Sequence, residues 1–306
     1  MTPLPHGNFS AGRLVIFGCG YVGSALGAFA RDRGIRVTAV TRNAANEPGL
    51  RDAGFDVVIA DIAGDSWHEE VEARPEFALN CVSSGGGGAD TARHSYVGGM
   101  DSIARWTRKH GPVGTFVYTS STSVYQQDGG ETVDESAETG GSGRAGLLVE
   151  AERRFAEAGG LCDRLFVLRL AGIYGPGRHR FLDQLRAGAL PDGGAGHLNL
   201  VHRDDIVSAI WACFAAAPHI RNQVFNVADD GRATRGEIVE WLRAAAGRAD
   251  SVPEGGGLPS GRRAASPDRI VANARIKAVL AWQPRFPTFR EGYRAILAAA
   301  GSSAIL

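Results

Sequence analysis

The amino-acid sequence predicts a doubly wound α/β fold, in which helices cover both faces of a parallel β-sheet. Short apolar, β-branched segments alternate with segments of helical period up to residue 170 of the 306. Strands that are apolar throughout and separated by helices are typical of a parallel sheet that is buried on both sides. The first such strand runs into a glycine-rich turn and then a helix. These observations favour an open, Rossmann-type sheet.

The predicted elements alternate in the order that such a sheet requires. Gly- and Pro-rich loops become frequent after residue 175, which indicates a smaller and looser C-terminal part. We therefore predict an NAD(P)-binding Rossmann domain over 12–175, to which 200–222 return, and a smaller substrate-side domain from 176–199 and 223–306. The predicted strands are 14–17, 37–40, 57–60, 78–82, 116–119 and 165–170, and the predicted helices are 24–33, 91–110, 144–158, 204–217, 234–246 and 272–281.

Composition limits the class of partner. Lys+Arg and Asp+Glu are 33 each, so no net charge favours nucleic acid or an anionic membrane surface. No apolar run reaches the ~18 residues that a membrane span needs, and the N-terminus lacks the features of a signal peptide. We therefore expect a cytoplasmic protein that binds a small molecule, with no metal, nucleic acid or membrane, and with a homodimer left open. The cysteines lack metal-like CxxC spacing, and three of them lie in apolar runs typical of reduced thiols: Cys19, Cys81, Cys162 and Cys213.

The sequence LVIFGCGYVGSALG places three glycines in GxGxxG spacing between a strand and a helix. The first glycine permits a tight turn, the second lets the backbone approach a pyrophosphate, and the third lets helix and strand pack closely. The helix N-terminus adds N–H groups and a favourable dipole for phosphates. The alternative is that the glycines only turn the chain. The motif predicts a dinucleotide site formed by Gly18, Cys19, Gly20, Tyr21, Val22 and Gly23.

The end of the second strand indicates which dinucleotide is bound. An NAD-type site has a carboxylate about 20 residues beyond the glycine motif, where it holds the ribose 2′-hydroxyl. Thr41 and Arg42 stand there instead. Because a guanidinium suits a 2′-phosphate, the sequence predicts NADP(H) in preference to NAD(H). A solvated surface arginine is the alternative interpretation of Arg42.

Residues after the third and fourth strands complete the predicted coenzyme site. Asp61 and Ile62 follow the third strand, and Asp61 either accepts a hydrogen bond from the adenine amino group or caps a turn. Ser83 and Ser84 follow the fourth strand. Because the carboxyl ends of parallel strands meet at one edge of the sheet, we expect these serines beside the phosphates or the ribose.

Four stretches of sequence are specific in combination. They are the glycine motif, FVYTSSTSVY (116–125), VLRLAGIYGPG (167–177) and LNLVHRDDIVSAI (198–210). Together they resemble the extended short-chain dehydrogenase/reductase superfamily, in its NAD(P)-dependent epimerase/dehydratase group, over nearly the whole chain. The resemblance implies a Rossmann fold, a nicotinamide coenzyme and a substrate oxygen bound by the third hydroxyl of the TSS sequence, Ser121.

The sequence departs from that family at the catalytic tyrosine and lysine. When the chain is aligned on Glu152, Arg144 stands where the tyrosine belongs and Leu148 where the lysine belongs. Arginine stays protonated and cannot alternate between acid and base, and leucine has no charge. This departure resembles the YeeZ-like branch of atypical short-chain dehydrogenases, which lacks the Tyr/Lys dyad.

Other hydroxyls are candidates for the missing acid. Tyr125 and Tyr174 follow sheet strands at the carboxyl edge, where open α/β sheets bind ligands. We therefore predict Ser121, Tyr125 and Tyr174 as catalytic residues, with water as a further proton source. The alternative for Tyr125 is packing in a loop, and for Ser121 it is capping of the strand end. Thr119 and Ser120 are predicted to be structural.

Three basic residues are candidates for binding an anionic substrate. Arg144 and Arg178 offer planar guanidinium groups, and His179 follows in the sequence YGPGRHR. With Ser121 they form the predicted substrate site, and the alternatives are a solvated helix start and a solvated basic loop. His202, in LVHRDD, is predicted to dock the domains rather than to titrate in catalysis.

Two functions from different classes are compatible with these residues. The first is an NAD(P)-dependent oxidoreductase or epimerase that acts on a small polar, anionic carbonyl or carbinol compound. The second is a non-catalytic NADP(H)-binding redox sensor. Ser121 and the 174–180 loop favour the enzyme, whereas the missing tyrosine and lysine favour the sensor.

Overall fold

The computed structural model describes residues 12–190, 193–245 and 267–303. The strands are β1 (Arg13–Phe17), β2 (Arg36–Thr41), β3 (Asp56–Ile59), β4 (Phe77–Asn80), β5 (Val113–Ser121), β6 (Thr132–Val133), β7 (Cys162–Leu170), β8 (Gly172–Tyr174), β9 (Leu200–His202), β10 (Gln223–Val227) and β11 (Ile270–Val271). The helices are α1 (Tyr21–Arg31), α2 (Glu47–Asp52), α3 (Ala89–Arg93), α4 (Gly99–His110), α5 (Gly143–Glu157), α6 (Arg180–Arg186), α7 (Arg203–Phe214), α8 (Arg235–Ala245), α9 (Ala274–Leu280) and α10 (Phe289–Ser303).

Seven of these strands form one parallel sheet in the order β10-β7-β5-β4-β1-β2-β3. The first two strands pair in parallel, with Leu14 opposite Val37. Strand β4 is buried along its whole length, as the apolar pattern predicts for a sheet covered on both faces. Strands β2 and β3 lie on one side of β1, and the chain then crosses to the other side to add β4 and the later strands. This switch in strand order leaves a crevice at the carboxyl ends of β1 and β4. The predicted Rossmann-type α/β fold is therefore confirmed.

The helices differ from the predicted ones mainly where they begin and where they break. Helix α1 begins at Tyr21, directly after the glycine motif, rather than at 24. The helix predicted over 91–110 is interrupted by a π-helical turn, His94–Gly98, which separates α3 from α4. Helices α2, α6 and α10 were not predicted. With six and seven residues, α2 and α6 give too little period to detect, whereas α10, with 15 residues, was missed within the stretch expected to be looser.

The described apolar side chains form two buried clusters. The larger one contains the sheet strands and the helices against them. The smaller one lies in the C-terminal part and includes Tyr174, Leu182, Ile238 and Phe289. The prediction assigned residues from 223 onward to the smaller domain. Strand β10, which begins at Gln223, instead pairs with β7 as the edge strand of the main sheet. The remaining domain division stays a prediction. No helix among the described residues is long and apolar enough to cross a bilayer.

A buried ion pair joins the carboxyl end of β7 to α5. Arg169 on β7 contacts Glu152 on α5 at 2.8 Å, and their side chains are 8% and 10% exposed. The Glu152 carboxylate also accepts a hydrogen bond from Ser120 Oγ at 2.5 Å. Because Ser120 and Arg169 are register partners on β5 and β7, one carboxylate connects two strands and a helix.

We predict that Arg169→Met lowers the free energy of unfolding by about 3–5 kcal/mol, because it leaves the Glu152 carboxylate buried without its cation. Equilibrium urea unfolding measures this loss. The control is Arg153→Met, which breaks the exposed pair with Glu157 and should cost less than about 1 kcal/mol. Adding Glu152→Met to Arg169→Met should recover part of the loss. Equal losses for the two single variants would contradict the prediction.

Candidate functional site

A cleft of about 890 Å³ opens at the carboxyl ends of the strands. It extends from the glycine motif and the ends of β2 and β3 to the end of β5 and the start of α5. Its walls include twelve of the residues predicted to bind coenzyme or substrate. They are Gly18, Gly20, Tyr21, Val22, Thr41, Arg42, Asp61, Ile62, Ser83, Ser121, Arg144 and Arg178. Leu148, where the family's lysine is missing, lines the same wall.

The glycine motif has the geometry that a dinucleotide requires. Gly18 has a φ of +83°, and a Cβ there would lie 2.7 Å from the Val82 Cα atom. A Cβ on Gly20 would meet open space, with only the Gly18 carbonyl oxygen at 3.9 Å. Gly20 also precedes the first residue of α1, so the helix N–H groups face the same opening. The residues present therefore fit a pyrophosphate at this point.

Three predicted coenzyme residues lie behind the wall of the cleft. A Cβ on Gly23 would come within 2.9 Å of Ile16 Cγ2, so this glycine permits close packing of α1 on β1. Cys19 is 1% exposed, and burial raises the pKa of its thiol to about 12. Ser84 is 4% exposed and faces Tyr96. These positions support the cleft from within.

Arg42 and Asp61 lie at the end of the cleft formed by β2 and β3. Arg42 is exposed, and a Cβ on Gly85 would be 3.7 Å from its Nη2 atom. Asp61 accepts a hydrogen bond from the Ala63 N–H at 3.0 Å and contacts His94 Nε2 at 3.0 Å. Burial favours a higher pKa for the Asp61 carboxyl, but these hydrogen bonds outweigh it and lower the pKa. Asp61 is therefore both the turn cap and a charged group in the wall.

The three hydroxyls at the end of β5 have different partners. Thr119 Oγ1 donates to the Asn80 carbonyl at 3.3 Å, and Ser120 donates to Glu152, so both hydroxyls serve the fold. Ser121 Oγ instead accepts a hydrogen bond from the Ser123 N–H at 3.2 Å. The oxygen is the acceptor in that contact, and none of the described residues accepts a hydrogen bond from this hydroxyl, so the Ser121 proton can be donated into the cleft.

Arg144 enters the cleft from the first turn of α5. Its Cζ atom lies 5.5 Å from the centre of the Tyr96 ring, within the range of a cation–π contact. Leu148, one turn later, is 3% exposed and lines the cleft beside it. Within the described ranges, no carboxylate pairs with Arg144. Its charge is therefore not neutralised locally.

The 174–180 loop brings a second guanidinium to the cleft. Arg178 lies over the Tyr21 ring at 5.5 Å, with Arg203 over the same ring at 5.2 Å. The Tyr21 hydroxyl donates to the Pro176 carbonyl at 2.9 Å, which attaches this loop to the glycine motif. His179 points elsewhere: its Nδ1 atom lies 2.8 Å from Asp183 on α6, and His179 is not among the described lining residues. The structure therefore brings Arg178, but not His179, to the cleft.

The structure does not bring Tyr125 to the cleft, contrary to the expectation that it could supply a proton. Tyr125 is 2% exposed, and its hydroxyl donates to Asn226 Oδ1 at 2.6 Å. The same hydroxyl accepts a hydrogen bond from Arg169 Nη1 at 3.1 Å. Burial raises the pKa of Tyr125. The packing alternative considered from the sequence describes its position better.

Tyr174 is likewise a core residue, which corrects its predicted place among the catalytic groups. Its ring stacks on Tyr293 at 5.1 Å, and its hydroxyl occupies the space where Gly292 has no side chain. Burial raises the pKa of the Tyr174 hydroxyl. The smaller apolar cluster closes around this residue, so its hydroxyl faces protein rather than the cleft.

His202 and Asp205 join the sheet to the C-terminal segment. His202 Nδ1 accepts a hydrogen bond from the Asp204 N–H at 3.2 Å, and burial lowers the pKa of His202 to about 4. Asp205 accepts hydrogen bonds from the N–H groups of Arg285 and Phe286 at 2.6 and 3.1 Å. These contacts are consistent with the docking role expected for this stretch.

Tyr96 is one of the cleft residues that the sequence analysis missed. It lies in the π-helical turn, where its ring forms part of the wall. A regular helix over 91–110 would assign this position to the core by its period. Tyr96 is indeed 3% exposed, but whether a buried position borders the cleft depends on how this turn packs against Ser84 and Arg144, which helical period does not report.

Comparison with known proteins agrees with this geometry. Residues 14–228 match the family model described as the NAD dependent epimerase/dehydratase family. Protein YeeZ of Escherichia coli strain K12 is 36% identical over 110 residues, which are 35% of this chain. The match spans only 38% of the length of YeeZ.

Two solved structures align over almost the whole chain. A putative NAD-dependent epimerase/dehydratase from Methylobacillus flagellatus is 28% identical, with a TM-score of 0.74 over 94% of this chain and 98% of that one. The Bordetella bronchiseptica enzyme WbmG in complex with NAD has a TM-score of 0.79 at 16% identity, over 97% and 95% of the two chains, and so shares the fold. The family match covers both the glycine motif and the end of β5, which confirms the resemblance to an atypical short-chain dehydrogenase. The chain therefore belongs to the NAD-dependent epimerase/dehydratase family.

Proposed function

We propose that this protein is an NAD(P)-dependent oxidoreductase or epimerase acting on a small polar, anionic carbonyl or carbinol compound. The observation that carries the proposal is the convergence of a dinucleotide-type glycine motif, the free Ser121 proton and two guanidinium groups in one cleft. The substrate class is inferred from those charges. The homodimer and the cytoplasmic location stay predictions.

The coenzyme half of the proposal rests on the glycine motif. The open space at Gly20 and the N-terminus of α1 suit a pyrophosphate, and membership of an NAD-dependent family supports binding of NAD(H). A nicotinamide coenzyme bound there would supply or accept a hydride at a carbonyl or carbinol carbon. Arg42, exposed at the end of β2, supports NADP(H) as the preferred form, because no carboxylate holds the ribose at that position.

The substrate half rests on groups that do not need to titrate. Ser121 can donate a hydrogen bond to a substrate oxygen, and that bond strengthens as negative charge develops on the oxygen. Arg144 and Arg178 both line the cleft and can hold a carboxylate or phosphate by bidentate hydrogen bonds. With Tyr125 and Tyr174 buried, water remains of the three predicted proton sources. A positioned general acid typically contributes about 10²–10⁴-fold, so turnover without one should be slow.

A second function is favoured by a specific observation. The first two turns of α5 carry Arg144 and Leu148 where the family's acid/base pair belongs, and both side chains line the cleft. A protein that binds NADP(H) there without turnover would act as a redox sensor. The two functions differ in whether any compound exchanges a hydride with the bound coenzyme.

We predict that Arg42→Ala changes the ratio of the dissociation constants for NAD(H) and NADP(H) by about 10-fold or more in favour of NAD(H). The physical reason is the loss of a charge-assisted contact to the 2′-phosphate, which is worth about 1.5–3 kcal/mol. Isothermal titration of both coenzymes measures the ratio. The control is Arg36→Ala on the same strand, where the guanidinium pairs with Glu72. An unchanged ratio in Arg42→Ala would refute the preference.

We predict that Ser121→Ala lowers kcat by about 10²–10³-fold, as expected for loss of a donor to a developing oxyanion, while coenzyme affinity stays within twofold. The assay follows coenzyme oxidation against a panel of small 2-oxo acids and phosphorylated ketones. Thr119→Val is the control, because the Thr119 hydroxyl bonds to the backbone. Unchanged turnover in Ser121→Ala would make its hydroxyl structural. If the wild-type protein binds coenzyme but oxidises it with none of these compounds, the sensor function is favoured.

A further inference from the structure

Tyr96 occupies a part of the cleft wall that neither the coenzyme nor the substrate assignment above uses. It lies at the centre of the π-helical turn His94–Gly98 and is 3% exposed. A π-helical turn has poorer hydrogen-bond geometry than the α-helix it interrupts, and such turns are frequent at functional sites. Two residues of this turn, Ser95 and Tyr96, line the cleft.

The π-helical turn contacts both halves of the cleft. On the side of β2 and β3, His94 Nε2 lies 3.0 Å from Asp61 Oδ2. On the other side, Tyr96 contacts Ser84, which follows β4, and Arg144 at the start of α5. In the sheet, β4 and β5 lie on one side of β1 and β2 and β3 on the other. Tyr96 therefore belongs to the half of the cleft that lies away from Arg42.

The Tyr96 hydroxyl retains capacity for a ligand. It accepts a hydrogen bond from the Ser84 N–H at 3.3 Å and is 3.5 Å from Ser84 Oγ. Both distances exceed the ordinary range for such bonds, which ends near 3.2 Å for N–H donors and 3.0 Å for O–H donors. A phenol can donate one hydrogen bond and accept others. These long contacts orient the Tyr96 hydroxyl but are weak, so the hydroxyl can still form a stronger hydrogen bond to a ligand.

Tyr96 shares its part of the wall with one apolar and one cationic side chain. Leu148 is apolar, and the Arg144 guanidinium lies on the Tyr96 ring at 5.5 Å. Once a pyrophosphate is bound at Gly20 and one nucleoside extends toward Arg42, the second nucleoside must extend toward β4 and β5. Its sugar carries adjacent hydroxyls that both donate and accept hydrogen bonds.

We propose that Tyr96 binds the ribose of the nicotinamide nucleoside, with its hydroxyl supported by Ser84 and its ring fixed under Arg144. The inference rests on the coenzyme binding proposed above and adds the residue that holds the second sugar. The π-helical turn thereby links the two nucleoside sites, with His94 at one and Tyr96 at the other.

The test uses three ligands that extend step by step along the cleft. ADP contains the adenosine and the pyrophosphate, ADP-ribose adds the second sugar, and NAD⁺ adds the nicotinamide. Isothermal titration with the full chain should show that Tyr96→Phe weakens ADP-ribose and NAD⁺ by about 3–10-fold, the equivalent of one hydrogen bond, and leaves ADP within twofold. Ser84→Ala should change the same two affinities in the same direction. Tyr21→Phe is the control, because the Tyr21 hydroxyl bonds to Pro176 and should not distinguish ADP from ADP-ribose.

Two results would overturn the inference while leaving coenzyme binding intact. In the first, Tyr96→Phe binds ADP-ribose and NAD⁺ as the wild-type protein does. In the second, it weakens ADP by the same factor, which would make Tyr96 a support for the cleft as a whole. If the wild-type protein binds only NADP⁺, the same three steps are measured with the 2′-phosphorylated forms of ADP and ADP-ribose and with NADP⁺. If it binds neither these ligands nor NAD⁺, the proposed coenzyme function fails, and the inference fails with it.

Discussion

The buried ion pair between Arg169 and Glu152 is the interaction on which the geometry of the cleft depends. Two charges whose side chains are about nine-tenths buried must satisfy each other, because water cannot do so. Glu152 lies on α5 and also accepts the hydrogen bond from Ser120 on β5. The pair therefore sets how the end of β5, which carries Ser121, stands relative to the helix that carries Arg144.

The same network explains why hydroxyls near the site are not interchangeable. Arg169 donates to the Tyr125 hydroxyl, and Tyr125 in turn donates to Asn226 on β10. Burial raises the pKa of the Tyr125 hydroxyl, and its proton is already donated to Asn226. Tyr125 would therefore be a poor source of protons for a ligand in the cleft. Of the hydroxyls at the end of β5, the one left over is Ser121, because Thr119 and Ser120 have protein acceptors. The hydrogen bonds that Thr119 and Ser120 make within the protein thus leave Ser121 as the hydroxyl that can serve a ligand.

Two guanidinium groups of the cleft, those of Arg144 and Arg178, have no carboxylate partner in the part of the chain that the structure describes. The chain as a whole has a formal net charge of zero, so the positive charge of the cleft is a local arrangement rather than a property of composition. Arg144 and Arg178 are held on aromatic rings instead of carboxylates. Stacking on a ring orients a guanidinium while leaving its N–H groups available, which favours an anionic ligand over a structural ion pair.

The sequence by itself determined the fold class, the glycine motif and the absence of a tyrosine and lysine at 144 and 148, because each depends on local period, spacing or residue type. It also identified twelve of the residues that line the cleft, since parallel strands bring their carboxyl ends to one edge. Only the tertiary structure decided that Tyr125 and Tyr174 are buried and that β10 joins the sheet. The reason is that these outcomes depend on partners far along the chain, such as Asn226 for Tyr125 and Tyr293 for Tyr174. Only the tertiary structure placed Tyr96 at the cleft, because its neighbours there, Ser84 and Arg144, come from other elements of the chain.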